Sequence, residues 1–141
     1  GKFVFIDNGA ICHAPKKVAH ALFHFFDHLS RQEMQQAFDA LLAMTEVNPT
    51  PKKLAKYYAT MTEIYTDFEK KPVGEQSLTR IMMKTVKAAV EHAGANFGEE
   101  AFPIIRALMY LDGLVIRTHP DALLIQSMGP FLEEFKTKLN I

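Results

Sequence analysis

The chain has 141 residues, 48% of them hydrophobic and 23% charged, which is the composition of one soluble globular domain rather than two. Sixteen Lys and Arg balance sixteen Asp and Glu, so no global field draws the protein onto nucleic acid or an anionic membrane surface. Cys12 is the sole cysteine, which excludes an intrachain disulfide and fits a reducing, cytoplasmic setting, and no apolar run approaches the ~18 residues that cross a bilayer.

Lys2-Phe3-Val4-Phe5-Ile6 is β-branched and aromatic and halts at Asp7-Asn8-Gly9, which predicts one short strand over 2–6 followed by a sharp turn. A lone strand leaves its backbone groups unpaired, so its expected partner is either a segment upstream, the chain then being a fragment, or the same strand of a homodimer mate. Beyond Pro15 the pattern is helical. Val18, Leu22, Phe25, Phe26 and Leu29 form one apolar stripe and predict a first helix over 15–29. Ser30 and Glu33 have the spacing of a capping box, opening a second helix through Met34, Phe38, Leu41 and Leu42 that fades near Thr45. After Asn48-Pro49-Thr50-Pro51, the residues Leu54, Tyr57, Tyr58, Met61, Ile64, Tyr65 and Phe68 mark a long third helix stopped by Pro72 and Gly74. Ser77 is placed to cap a fourth, with Leu78, Ile81, Met82, Val86 and Val90 on its buried face and Gly94 at its end.

From Gly98 a fifth helix carries Phe102, Ile105, Leu108, Met109, Leu111, Leu114 and Val115, apolar around so much of its circumference that it is expected to be the central, most buried element. On that expectation Leu108→Ala costs roughly 2–5 kcal/mol. Pro103 fits within its first turn, His119-Pro120-Asp121 breaks the chain, and Gly129-Pro130 is expected to start a last helix through Phe131, Leu132, Phe135 and Leu139. The sum is a single, mainly α domain over 1–141, a bundle of about six helices with one short N-terminal strand.

Several side-chain groups invite a chemical reading. Asp7, ending an apolar strand and followed two residues later by Gly9, is placed as kinase-like enzymes place the carboxylate that holds Mg²⁺ against ATP phosphates; the same tripeptide also makes an ordinary turn. His20, His24 and His28 recur every four residues with His13 upstream, but their row falls opposite the apolar stripe of the first helix and reads as a solvent face. No Glu lies between two of them as a metalloprotease helix requires. Cys12 beside His13 is read as an idle thiol, and the seven methionines as core filler. The pairs Lys16-Lys17, Lys52-Lys53 and Lys70-Lys71 are scattered helix-end charges without aromatic interleaving, so no nucleic-acid partner is expected.

The order of features is more specific than any one of them: a strand, Asp7-x-Gly9, the Phe25-Phe26 pair, Phe68-Glu69-Lys70-Lys71-Pro72, then Arg106-Ala107-Leu108-Met109-Tyr110-Leu111-Asp112-Gly113 with Pro120-Asp121. In this order the chain resembles the C-terminal part of the AarF/UbiB family, atypical kinase-like proteins linked to ubiquinone and other prenyl-lipid biosynthesis. Leu111-Asp112-Gly113 and Pro120-Asp121 match the family's Leu-Glu-Gly and Pro-Asp, with Asp112 in place of Glu. The resemblance implies a kinase-like C-lobe fold, with Asp7 as the Mg²⁺ ligand of the family's D-F-G motif, Gly9 as its glycine, and Mg²⁺ and ATP as cofactors of the whole protein. Asn8 stands where the family has Phe.

The family's nucleotide lysine, its K-x-G-Q helix and its catalytic Asp and Asn lie upstream of D-F-G and have no match among these residues. The chain by itself is therefore expected to be inactive, its partner being the N-terminal kinase-like lobe, with peripheral membrane or prenyl-lipid association in the full-length context. Two other classes fit the same residues. One is a stand-alone helical protein–protein interaction module without catalysis, the other a bundle holding a lipid in a Met- and Phe-rich pocket between the third and fifth helices.

Overall fold

A computed structural model describes residues 13–139, so the strand expected over 2–6, together with Asp7, Gly9 and Cys12, lies outside the described residues. Six α-helices occur among the described residues: α1 (Lys16–Ser30), α2 (Met34–Ala43), α3 (Pro51–Ile64), α4 (Leu78–Ala88), α5 (Ala101–Thr118) and α6 (Leu124–Leu139). Short 3₁₀ turns at Phe68–Lys70 and Val73–Glu75 join α3 to α4, and α4 runs on into a π-helical turn over Ala89–Ala93. No helix among the described residues is long and apolar enough to cross a membrane.

The core is formed by α1, α2, α3 and the end of α4 with its π turn, from Ala88 to Ala95. Leu29, Tyr57, Met61 and Phe38 are its most deeply buried large side chains, at 0–2% exposure. Tyr65, just beyond α3, is the hub: its ring meets Phe25 of α1 at 6.3 Å, Phe38 of α2 at 5.6 Å and Phe68 at 5.2 Å between centroids. These are the offset and edge-on arrangements that aromatic quadrupoles favour. The Thr85 hydroxyl donates to the Ile81 carbonyl at 2.9 Å, leaving its oxygen to accept the Tyr65 O–H at 3.0 Å, which ties the cluster to α4. Tyr57 donates to the Phe38 carbonyl at 3.0 Å. Burial raises the pKa of both phenols, that of Tyr65 to about 12.

Several local expectations hold. Pro51 opens α3 at a position where its missing N–H costs nothing, and the Ser77 hydroxyl caps α4 by accepting the Arg80 N–H at 3.1 Å. Gly94 ends the π turn in the left-handed region, at φ +77°. Three others do not. Ser30 belongs to α1 and donates to the Asp27 carbonyl, so it caps nothing in α2. The residues after it close α1 in a Schellman arrangement, with Glu33 N–H on the His28 carbonyl, Gln32 N–H on the Leu29 carbonyl, and Gln32 left-handed at φ 61°. The third helix stops at Ile64 and gives way to Asp67 at φ 58°, well before Pro72. Gly129-Pro130 lies inside α6 rather than at its start, because the helix is extended upstream by Leu124 and the buried Ile125, which pack on the core.

The largest departure concerns α5. Instead of the most buried helix it is the one whose apolar side chains are most in solvent, with Phe102 and Tyr110 exposed by 72% and 74% and Met109, Leu111 and Leu114 also exposed. Its chief neighbours are α4 and the Val73–Glu75 turn, on one side only. An apolar circumference records how many faces of a helix can be buried, not how many the described bundle covers. Leu108 is half-buried on its inner side. Leu29→Ala is therefore expected to lower unfolding free energy by roughly 2–5 kcal/mol and Leu108→Ala by about 1 kcal/mol. Denaturant titration of both variants checks this, and equal losses would contradict the burial described.

Candidate functional site: a carboxyl-tethered helix over an apolar cavity

Two contacts hold α5 and the loop after it against the bundle. Asp112, in the middle of α5, is 4% exposed. Its Oδ2 accepts the Thr79 backbone N–H at 2.9 Å and the Thr79 hydroxyl at 2.6 Å. Thr79 is in the first turn of α4, where backbone N–H groups lack helical partners and the dipole favours a carboxyl. Oδ1 of the same carboxyl is buried without a hydrogen-bond partner among the described residues.

The second contact is backbone to backbone. Val73 N–H donates to the Ala122 carbonyl at 2.9 Å and Gly74 N–H to the Pro120 carbonyl at 2.7 Å. A Cβ on Gly74 would stand 2.9 Å from both the Cβ and the carbonyl oxygen of Pro120, so the glycine is what allows the approach.

Beneath α5 these contacts leave a cavity of about 360 Å³. Phe25, Phe26, Leu78, Ile104, Leu108 and Met128 are among its walls, and the polar residues on it are Thr79, Thr85, Asp112 and Tyr65. The pocket expected between the third and fifth helices is thus bordered by the fifth helix, but its other walls come chiefly from α1, α4 and α6, with Tyr65 and Phe68 at the floor.

A polar cluster on the other side of α1 joins it to α6. Asp27, buried, faces Arg31 at 3.2 Å and Lys136 at 3.7 Å, and Arg31 also meets Glu133 at 2.5 Å. Phe23 stacks on Phe135 beside them, with centroids 6.1 Å apart. The histidine row is not a uniform solvent face: His20 is exposed, whereas His24 and His28 are half-buried and stack at 6.2 Å. His28 Nδ1 lies 2.6 Å from Glu33 Oε2, which takes Glu33 away from any capping role. The lysine pairs are exposed. Met61 is core, but Met83 and Met109 are solvent-exposed, so the methionines are only in part filler.

No group of three His, Cys, Asp or Glu side chains gathers as a metal site among the described residues. The candidate Mg²⁺–ATP positions, Asp7 and Gly9, fall outside them. The contributions of Asp112 and Asp27 were not anticipated from sequence, although a lone carboxyl within the apolar run Leu108 to Val115 was a visible signal that Asp112 must find donors. Comparison with protein-family models, with curated proteins and with solved structures finds no match to this chain.

Losing the tether should be costly in a way that reveals pairing. Asp112→Ala is expected to destabilise by about 1–3 kcal/mol, and Thr79→Val by less, since its backbone N–H remains. In a double-mutant cycle the two losses should add to more than the loss of the double variant. Strict additivity would mean that the two side chains do not act as a pair.

Proposed function

We propose that this chain is the C-terminal lobe segment of an AarF/UbiB-like atypical kinase or ATPase linked to ubiquinone biosynthesis. The observation that supports this is where the late motifs meet. The Phe68 to Pro72 run leads into the Val73-Gly74 backbone, which receives the Pro120 to Ala122 segment, while Asp112 of Leu111-Asp112-Gly113 grips the start of α4. Each contact joins one motif, or a residue next to it, to another part of the bundle, Pro120 to Gly74 just after the Phe68–Pro72 run and Asp112 to Thr79 at the start of α4, and their work is mechanical: they fix α5 against α4.

In the whole protein, Asp7 would hold Mg²⁺ against the nucleotide phosphates, and Gly9 would let the backbone turn beside them. Bound Mg²⁺ would neutralise charge developing on the transferred phosphoryl group. Positioning a nucleotide also takes metal and phosphate ligands from a second lobe, so these residues alone lack the means for turnover.

The exposed outer face of α5 favours the alternative, a stand-alone interaction module without catalysis. Phe102 and Tyr110, with Phe131 of α6 at 72% exposure, present large apolar surfaces of the kind that a partner covers. The kinase-like function requires turnover from the natural full-length protein; the interaction module does not. The 141-residue chain is expected to show no Mg²⁺-dependent ATP hydrolysis above background, while the full-length product of the gene hydrolyses ATP and loses that activity on Asp7→Ala. Turnover by the isolated chain, or full-length activity indifferent to Asp7→Ala, would overturn the kinase-like assignment.

A further inference from the structure

We propose that the cavity beneath α5 is a binding site for a single aliphatic chain bearing an uncharged hydroxyl group, a ligand class independent of any nucleotide chemistry at Asp7. Three features of the site select it. At about 360 Å³ the cavity is within the range of small-molecule pockets. Its walls are aliphatic and aromatic over α1, α4, α5 and α6, which suits a hydrocarbon and offers water few partners.

The third feature is the Asp112 carboxyl beside the cavity, whose Oδ2 is committed to Thr79 and whose Oδ1, buried just behind the cavity surface, has no partner among the described residues. A buried polar atom in that state is destabilising until a donor reaches it. Among the described residues no Lys, Arg or His borders the cavity. A carboxylate or phosphate head would therefore meet an unpaired oxygen and no cation, so fatty acids and phospholipid heads are disfavoured. A hydroxyl both donates and accepts, and costs far less to bury than an ammonium group. Contact between the hydroxyl and Oδ1 requires a small movement of α5 about its Asp112–Thr79 tether, and that movement is part of the proposal.

The test uses monomeric probes of one chain length, 1-decanol, decanoate and decylamine, titrated into the 141-residue chain and followed by methyl NMR and by thermal unfolding. Decanol is expected to bind saturably at one site, shifting the Ile104 and Leu108 methyl resonances and raising Tm, with decanoate at least tenfold weaker. Leu108→Phe, which narrows the cavity beside Asp112, should weaken decanol binding at least several-fold while keeping the chain folded. Asp112→Asn can keep Thr79 through its amide oxygen and places an N–H₂ donor where Oδ1 was, so decanoate should approach decanol in affinity. Absence of saturable decanol binding would overturn the site, as would a decanol affinity unchanged by Leu108→Phe. Equal affinity for decanoate in the unaltered chain, or tighter binding of decylamine, would overturn the ligand class.

Discussion

Helix α5 is joined to the bundle by a buried carboxyl rather than by an apolar seam, and the features that bear on function follow from this. Asp112 satisfies two donors at the start of α4, one of them an N–H that the helix itself leaves unpaired. Such a bond is directional and short, so it fixes the height of α5 above α4 without drawing α5 flat onto α1 and α6. Hydrophobic packing has no comparable directionality and would have closed the gap. The backbone pairing of Gly74 with Pro120 holds the far end of α5 by the same kind of contact. The cavity lies under the stretch of α5 from Ala101 to Val115, most of it N-terminal to Asp112, and on the other side of the helix lies the exposed apolar face.

The bundle thus has two mechanical characters. Around Tyr65 the aromatic rings of Phe25, Phe38 and Phe68 interlock, and the phenol is anchored through Thr85 to α4. That half resembles an ordinary protein interior in which volume changes are costly. In α5, by contrast, Ala101 and Asp112 are the buried residues, and most of the larger side chains are half-buried or exposed. A rigid base with a tethered, partly covered helix can admit an apolar occupant on the inner side of that helix and a macromolecular one on the outer side.

Much of the helix layout was legible because the signals are local. Ser77 caps by its own hydroxyl, Gly94 turns by its own φ, and Pro51 starts a helix because of its own ring. The errors came where a local signal competed with a neighbour. Glu33 could have closed a capping box, but His28 Nδ1 lies 2.6 Å from its carboxylate, and Gln32 accepted a left-handed backbone to finish α1 first. Pro130 could have opened a helix, but burial of Ile125 one turn earlier carried α6 through it. The periodicity of α5 marks a helix but not its surroundings, since sequence hydrophobicity gives the capacity for burial and not the identity of what covers each face. The role of Asp112 needed the structure, because Thr79 is thirty-three residues away and no spacing rule joins them.

The central claim is that α5 is tethered by polar contacts over a cavity while the α1–α3 core is packed. Native-state hydrogen exchange resolves this helix by helix. The backbone amides of α5 should exchange through local openings, at least ~100-fold faster than those of α3 around Tyr57 and Met61, with little dependence on denaturant. If α5 amides instead exchange in the slowest class together with α3, the helix is part of the global core, and the account of a tethered, separately opening element is wrong.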